Sequence, residues 1–550
     1  MTEPATTKAW DYIVVGAGSA GCVVAGRLAE AGRSVLLLEA GGADKGRWLE
    51  IPLGLGKIIR DARYIWPFET EPDAATGNRR MYWPRGKTLG GSSSVNGMIW
   101  AVGDPHRYDE WAAESCPGWD WRAIEPVMRS AESYAEPGAV GRGTAGPIAV
   151  QQINGRQPMT DAFIAACVAV GIPATPDYNR GADGVGRLQL STRRGVRCST
   201  AVAYLRPNIR RPNLAVQTEA LVEKVVFAGR TAVGVAYSRR GEFHQATARH
   251  EVILAAGAIQ SPQLLELSGV GNAGHLRSLG LEIVLDLPEV GENLSDHFHI
   301  RSTYRARNVV TVNDLLRRPW LHGPRAWLEY QTCGTGLFAN ATATAHALAR
   351  TEPGAPYPDM KIQLHTISSA DRTAETAGLS VDRFSGASIG FFQLYPESRG
   401  SVHIASHNPS APPRIVPNYL HASADRAAAV RGLRWCRRIA AEPALRRFLA
   451  EESRPGTDID DDDALLDYAR REGQTSYHPV GTCRMGARGT SVVDARGRVH
   501  GLQSIRVADA SVMPFIVSSN TNAPAIAIGE RMASFILAES NESRPGTAAA

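Results

Sequence analysis

The sequence contains no long hydrophobic run and little excess charge of either sign. No apolar stretch approaches the roughly 18 residues of a transmembrane helix, and the N-terminus lacks the basic and apolar regions of a signal peptide. We therefore expect no membrane span and a cytoplasmic location. The net charge is only +5 over 550 residues, from 60 basic and 55 acidic side chains. So small an excess argues against nucleic acid or an anionic membrane as a partner.

Cysteines are few, and no metal-binding pattern is present. The seven cysteines are scattered and include no C-x-x-C pair, which favours free thiols in a reducing compartment over a disulfide framework. No H-E-x-x-H or comparable ligand spacing occurs, so we predict no metal site. The remaining composition, 43% hydrophobic and 21% charged, is ordinary for a globular protein, and the length suffices for two or three domains.

The clearest motif lies near the N-terminus. An apolar run at 12–15 leads into G-A-G-S-A-G at 16–21, and after a segment with helical spacing a second apolar run at 35–38 ends in Glu39. Strand, glycine-rich turn, helix, strand and acid follow one another in this order in a dinucleotide-binding βαβ unit. A glycine-rich turn in an unrelated α/β domain would not account for the acid. We therefore predict a site for NAD or FAD.

Each residue of this unit has a physical role in such a site. Gly16 permits the tight turn, and Gly18 lets the backbone approach a pyrophosphate, which then lies at a helix N-terminus. Gly21 allows the helix to pack closely on the strand. Glu39 is placed to accept hydrogen bonds from an adenosine ribose.

Later segments extend the pattern. Residues 85–100, R-G-K-T-L-G-G-S-S-S-V-N-G-M-I-W, combine glycines with hydroxyls and predict a second backbone cradle for phosphate or ring atoms, with a plain glycine-rich turn as the alternative. Residues 250–271 again run strand, turn, helix, which returns the chain to the nucleotide-binding sheet. Residues 300–470 differ in character, with short β-like runs and a helix near 424–441. They predict a separate α+β domain.

Five blocks in this order resemble those of the glucose–methanol–choline (GMC) flavoprotein oxidoreductases, and the resemblance covers nearly the whole chain. The blocks are G-A-G-S-A-G with Glu39, R-G-K-T-L-G-G-S-S-S-V-N, G-A-I-Q-S-P-Q-L-L-E-L-S-G-V-G, H-P-V-G-T-C-R-M-G, and V-A-D-A-S-V-M-P followed by N-T-N-A-P. Among members, the chain is most similar to bacterial choline-dehydrogenase-like and aryl- or furfuryl-alcohol-oxidising proteins. The resemblance implies FAD rather than NAD.

The resemblance also implies an architecture of two domains. An α/β FAD-binding domain, Rossmann-like and discontinuous, would be followed by an α+β substrate domain built on an antiparallel sheet. The first would comprise residues 10–155, 190–300 and 472–540, and the second 156–189 and 301–471, with flexible tails at 1–9 and 541–550.

By position, the resemblance assigns FAD contacts along the whole chain. These residues are Gly16, Gly18, Ser19, Gly21, Glu39, Ala40, Trp66, Gly90, Gly91, Ser92, Asn96, Gly97, Met98, Val222, Asp509, Ala510 and Thr521. Some members join the flavin covalently to a histidine just before the asparagine of the second block. Here that position is Val95, and because valine cannot form the bond, we predict noncovalent FAD.

The implied reaction is oxidation of a primary alcohol to an aldehyde by hydride transfer to flavin N5. The alcohol proton needs a base near pH 7, for which imidazole is suited, and His478 in T-S-Y-H-P-V-G matches the family's catalytic histidine. Asn522, from N-T-N-A-P, is assigned to the family's second position, where an amide can orient the alcohol oxygen but cannot act as a base. His365 and Tyr477 are candidates to contact the substrate.

Several alternatives remain open at this point. Oxygen or a quinone-type acceptor would reoxidise the flavin, and the motifs do not distinguish an oxidase from a dehydrogenase. Relatives that cleave hydroxynitriles, or that decarboxylate fatty acids in light, also retain FAD, whereas the pair of His478 and Asn522 favours alcohol oxidation. No aromatic cage or carboxylate for a quaternary ammonium such as choline can be placed. The sequence indicates neither the particular alcohol nor the oligomeric state.

Overall fold

The computed structural model describes residues 9–134, 136, 140–155, 157–181, 183–340, 342–369 and 381–542. Most of the two predicted tails therefore lies outside the described residues, but 541 and 542 belong to the last helix and not to a tail. Within these ranges no helix is long and apolar enough to cross a membrane. Nor do the described His, Cys, Asp and Glu side chains form a group of three or more that could hold a metal ion. The cytoplasmic location stays a prediction.

Two large sheets and the helices around them make up the fold. In chain order the strands of these sheets are β1 (Trp10–Val15), β2 (Val35–Leu38), β3 (Gly184–Arg187), β4 (Leu214–Gln217), β5 (Ala220–Ala228), β6 (Thr231–Arg239), β7 (Glu242–Leu254), β8 (Phe298–Ala306), β9 (Ala343–Ala349), β10 (Met360–His365), β11 (Gly386–Gln393), β12 (Leu449–Arg454), β13 (Gln474–Thr475) and β14 (Ile505–Val507).

The longer helices surround these sheets. They are α1 (Ser19–Glu30), α2 (Pro105–Ala113), α3 (Trp121–Ala131), α4 (Pro158–Ala169), α5 (Gly257–Leu267), α6 (Pro319–Cys333), α7 (Ser423–Ala440), α8 (Asp462–Glu472) and α9 (Asn522–Glu542).

The first sheet has the order β4-β2-β1-β7-β6-β5, with β14 beside β7. Its central strands are parallel: β1 pairs with β2 and β7, and β7 pairs with β14. Strands buried on both faces must be apolar throughout, which explains why β2 is V-L-L-L and fully buried. Because the carboxyl ends of these parallel strands meet at one edge, the turns that follow them gather there, and ligands bind at such an edge.

The second sheet has the order β12-β8-β11-β10-β9-β3, with β13 beside β8, and its neighbouring strands are antiparallel. Side chains alternate between its faces, as in M-K-I-Q-L-H of β10. Met360, Ile362 and Leu364 enter a hydrophobic core shared with α4 and α7. Lys361, Gln363 and His365 therefore lie on the opposite face, which is polar.

These two sheets confirm the predicted fold class, an α/β domain plus an α+β domain with an antiparallel sheet. The domain limits stay a prediction. Most of the strands agree with them, since β3 of the 156–189 segment joins the second sheet. Two of the predicted limits divide that sheet. The limit at 300/301 falls inside β8, which begins at Phe298, and the limit at 471/472 assigns β13 (Gln474–Thr475) to the FAD-binding domain.

Candidate active site

One large cavity lies between the carboxyl edge of the first sheet and the polar face of the second. Its empty volume is about 2240 Å³, including its opening to solvent. The turn after β1 and the C-terminal blocks line this same cavity. The motifs that are widely separated in sequence thus meet at one site.

Every predicted FAD residue lines the cavity except Gly21 and Gly90. Those two shape the surrounding turns. A Cβ on Gly21 would lie 1.9 Å from the carbonyl oxygen of Gly16, so only glycine lets α1 pack here. Gly90 has a φ of +83°, in the left-handed region that favours glycine. Both residues therefore support the site from outside it.

The glycine-rich turn fits a dinucleotide. At Gly18 the nearest protein atom to an added Cβ would be the carbonyl oxygen of Ala255, 3.8 Å away, so a side chain there would project into the cavity. Gly18 is also the N-cap of α1 and supplies no side chain to satisfy the helix's first N–H groups. Such N–H groups favour an anion like a pyrophosphate.

Glu39 is held by the backbone next to this turn. Its Oε2 accepts a hydrogen bond from the N–H of Ala17 at 2.9 Å, and its Oε1 accepts one from Gly41 at 2.8 Å. Burial raises the pKa of this carboxyl to about 7, against the lowering effect of those two N–H groups. Each carboxylate oxygen can accept a further hydrogen bond, as a ribose hydroxyl would require.

A buried carboxylate fixes the backbone around His478. Asp296 accepts a hydrogen bond from the N–H of His478 at 2.7 Å, and its other oxygen accepts from the hydroxyls of Thr475 and Tyr419. Tyr477, just before the histidine, has a φ of +64°, which is costly for a tyrosine and marks a constrained turn. The turn thus directs the imidazole into the cavity.

A chain of hydrogen bonds assigns the tautomers of two histidines. His297 Nε2 lies 3.2 Å from the carbonyl oxygen of Leu394 and must donate to it, so its Nδ1 is an acceptor in the neutral ring. His478 Nδ1, 3.1 Å from that Nδ1, must then carry a proton. The Nε2 of neutral His478 is therefore unprotonated, and it accepts from Asn520 Nδ2 at 2.9 Å.

Lys361 fixes the orientation of the Asn520 amide and so supports this assignment of the tautomers. Its Nζ donates to Asn520 Oδ1 at 2.6 Å and to Ser519 Oγ at 2.8 Å. Because the amide oxygen is occupied by this donor, the amide nitrogen must face His478. Lys361 is fully buried, and burial holds the pKa of its ammonium well below the usual value.

The structure corrects the expected position of Asn522. Its Oδ1 accepts a hydrogen bond from Ser19 Oγ at 2.8 Å, at the point where α9 begins, so its amide links the first turns of α1 and α9. It lines the cavity, but Asn520, two residues earlier, is the amide in contact with His478. The reason is local: α9 starts at Asn522, while Asn520 still belongs to the loop that faces the second sheet.

Burial and nearby positive charge keep His478 neutral. Desolvation holds the pKa of its imidazole well below the usual value, and His297, Lys361 and Arg85 lower it further. Burial likewise lowers the pKa of His297 to about 3. At neutral pH the cavity thus presents an unprotonated imidazole nitrogen next to an amide donor, which is the arrangement needed to take a proton from an alcohol.

The remaining predicted residues also lie at the cavity. His365 on β10 is 6% exposed, and Tyr477 borders the cavity next to His478. Trp66 lines it too, with the ammonium of Lys87 4.2 Å from its ring centroid. Sequence reasoning missed His297, Lys361, Arg301 and Asn520. The polar positions that alternate in H-F-H-I-R and K-I-Q-L-H were the available signal for three of them.

The family model described as GMC oxidoreductase matches residues 10–299, and its C-terminal counterpart matches residues 396–529. The chain belongs to the GMC oxidoreductase family. This GMC oxidoreductase is 40% identical to the oxygen-dependent choline dehydrogenase of Paraburkholderia xenovorans strain LB400, over 95% of this chain and 93% of that protein.

Solved structures agree with this membership. Pyridoxine 4-oxidase from Mesorbium loti superposes with a TM-score of 0.86 at 28% identity, covering 96% of this chain and 99% of that one. A formate oxidase of Aspergillus oryzae RIB40, studied for its FAD modification, superposes with a TM-score of 0.90 at 25% identity, covering 98% and 100%. The predicted family, FAD as cofactor and oxidation of a CH–OH donor are confirmed.

Proposed function

We propose that this GMC oxidoreductase oxidises a primary alcohol to an aldehyde, with His478 as general base and Asn520, in place of Asn522, orienting the alcohol oxygen. The observation that carries the proposal is the unprotonated Nε2 of His478 beside the Asn520 amide in the cavity. FAD, when bound, supplies the two-electron acceptor for the alcohol C–H bond.

The chain's own residues would handle the proton and the developing charge. The alcohol oxygen would take the place of His478 Nε2 as acceptor of one Asn520 N–H, and Nε2 would take the hydroxyl proton. The resulting imidazolium and the amide N–H would both stabilise the negative charge on oxygen. Nδ1–H of His478 would remain bonded to His297 throughout, which keeps the ring oriented.

We further propose that FAD is held without a covalent bond. Val95 lines the cavity and offers no nucleophile, while the Gly18 turn, Glu39 and the Asp509 segment would hold the cofactor through hydrogen bonds. Acid precipitation of the purified yellow protein should leave the flavin in the supernatant. Colour that stays with the pellet would contradict this proposal.

The electron acceptor is oxygen or a quinone-type compound. An oxygen-dependent relative at 40% identity supports oxygen. The test is to mix the holoenzyme with a panel of primary alcohols without air and to follow the flavin absorbance near ~450 nm. We expect at least one alcohol to bleach it, and rapid recovery on admitting air would identify an oxidase. If no alcohol bleaches the flavin, the proposed reaction is wrong, and a lyase-like activity becomes the better hypothesis.

Lys361→Met should move the acid limb of the pH profile. His478 works as the unprotonated base, so kcat/KM should fall as the pH drops below its pKa, which lies under the usual 6.5. Removing the nearby positive charge raises that pKa, so the limb should move to higher pH. The rate should also fall, because Asn520 loses the donor that fixes its amide.

The matched control for this variant is Lys45→Met, at an exposed lysine. It should leave both the limb and the maximal rate unchanged. An acid limb in Lys361→Met at the same pH as in the native enzyme would show that Lys361 does not influence His478.

A further inference from the structure

The second sheet presents an unusual row of polar side chains to the cavity. Arg301 of β8 lies opposite Gly390 of β11, which in turn lies opposite Gln363 of β10, and His365 follows two residues later on the same face. Gly390 makes this crowding possible, since a Cβ there would lie 2.3 Å from His299 Nε2 and 3.0 Å from Arg301 Cγ. Arg301, Gln363 and His365 all line the cavity together with His478.

These side chains have buried polar atoms without protein partners. They are Nε and Nη1 of Arg301, Nε2 of Gln363 and both ring nitrogens of His365. Gln363 and His365 are 4% and 6% exposed, respectively. Leaving a buried donor unpaired costs free energy, and most of all when the group is charged. Arg301, Gln363 and the single N–H of neutral His365 thus supply unpaired donors on one cavity wall, which points to a ligand that accepts hydrogen bonds there.

The charge around this row is positive. Among the described residues that line the cavity, Glu39 and Asp509 are the carboxylates, and both accept hydrogen bonds from backbone N–H groups of the first sheet's turns. Arg85, also on the cavity wall, donates to the carbonyl oxygen of Tyr477, a neutral partner. A cationic ligand beside Arg301 would meet repulsion, and a carboxylate would match its planar fork of donors.

We propose that the alcohol substrate carries a carboxylate at the end remote from its hydroxymethyl group, bound by Arg301 with Gln363 and His365. This proposal rests on the alcohol oxidation proposed above and specifies the substrate class for that site. It also separates this protein from the relative named for choline, because a quaternary ammonium needs a carboxylate or an aromatic cage, and the row offers a guanidinium instead.

The spacing along the cavity indicates the length of such a substrate. Aromatic rings line the cavity between the base and this row. The ring centroid of Phe392 lies 5.7 Å from that of His478 and 6.1 Å from that of His299. The ring centroid of His299 lies 5.5 Å from that of His365. On β10, Gln363 and His365 lie two and four residues beyond Lys361, whose Nζ donates to Asn520 next to the base. A strand advances about 3.3 Å per residue, so the carboxylate site is separated from the base by the width of at least one ring. A hydroxymethyl arene carboxylate can bridge this separation, whereas a 2-hydroxy acid, with its carboxylate on the reacting carbon, is too short.

The test compares three substrates with the FAD-loaded enzyme: 4-(hydroxymethyl)benzoate, its neutral isostere 4-(hydroxymethyl)benzamide, and choline. We expect kcat/KM for the benzoate to exceed that for the benzamide by about 10- to 100-fold, as for a buried hydrogen bond to a charged group, and choline to be the poorest substrate. Arg301→Gln should bring the benzoate-to-benzamide ratio close to 1, because it should lower kcat/KM for the benzoate far more than kcat/KM for the benzamide.

Two variants control this result. Arg305→Gln, on the same strand but with a side chain 51% exposed and paired to Glu451, should keep the native preference. Arg301→Lys retains the charge but loses the fork of donors, so an intermediate ratio is expected. The preference of the native enzyme is informative even if a variant at position 301 fails to fold.

A binding measurement separates this proposal from the proposed reaction. Benzoate and benzamide are not oxidisable here, and each can be titrated into the native holoenzyme while the flavin spectrum is followed. Tighter binding of benzoate by about 10-fold or more supports the carboxylate site whether or not turnover occurs. If benzyl alcohol bleaches the flavin but neither turnover nor binding favours the carboxylate, the carboxylate site is wrong and alcohol oxidation stands. If no alcohol bleaches it, alcohol oxidation fails.

Discussion

Replacing His478 by glutamine should leave FAD bound and lower kcat/KM for the alcohol by about 10²–10⁴-fold, the usual contribution of one general base. Glutamine keeps a hydrogen-bonding side chain of similar length but cannot take the hydroxyl proton at neutral pH. Because the unprotonated Nε2 of His478 is the group that the network with His297 and Asn520 prepares, no neighbouring base replaces it. Anaerobic stopped-flow measurement of flavin bleaching reports the loss directly.

The control for this variant is His244→Gln, since His244 lies at the hairpin between β6 and β7, away from the cavity. Its rate should match that of the native enzyme. The flavin content of both variants, measured from the absorbance of the purified proteins, should also be native. A His478→Gln enzyme that reduces its flavin at the native rate would rule out His478 as the base.

Gly18→Val should weaken FAD binding enough for the cofactor to be lost during purification. Because a Cβ on Gly18 would project into the cavity at the start of α1, the branched valine side chain would occupy space needed for the pyrophosphate to approach the helix N-terminus. Misfits of this size cost about 1–3 kcal/mol, so affinity should fall by up to about 100-fold, and the protein should be purified colourless. Titration of the apoprotein with FAD, followed by fluorescence quenching, measures the change.

Gly42→Val is the matched control, because an added Cβ at Gly42 meets no atom within 4 Å and the residue does not line the cavity. It should retain the yellow colour and native affinity. Circular dichroism of the Gly18→Val protein should show native secondary structure, which separates loss of the cofactor from loss of the fold. Native FAD affinity in Gly18→Val would contradict a cofactor site at this turn.

Local sequence was sufficient wherever a function depends on backbone geometry or on a single motif. The turn at 16–21 needs glycine for steric reasons that act over a few residues: Gly16 has a φ of +97°, and a Cβ on Gly21 would clash with the Gly16 carbonyl. Such constraints appear in the sequence as a pattern. The βαβ unit, the fold class and the family could therefore be predicted before any contact was known.

The choice between Asn520 and Asn522 could not be made in this way. Both lie in N-T-N, two residues apart, and either amide could serve the chemistry. The choice depends on where α9 begins and on Lys361, which reaches Asn520 from a strand about 160 positions earlier in the chain. Likewise, no local motif around His297 indicated a contact with His478. Its contact with His478 follows from the bridge between Ser295 and Val480, which pairs two remote segments.

The sequence by itself thus determined the fold class and the family, and it predicted the cofactor turn and His478, because each is encoded by contiguous residues with local steric or chemical requirements. Only the tertiary structure decided which amide contacts that histidine, which of its ring nitrogens is unprotonated, and that a positively charged side chain, Arg301, lines the same cavity. These properties arise where two sheets meet, and Arg301, Gln363 and His365 become one binding surface only when β8 and β10 are aligned on either side of Gly390.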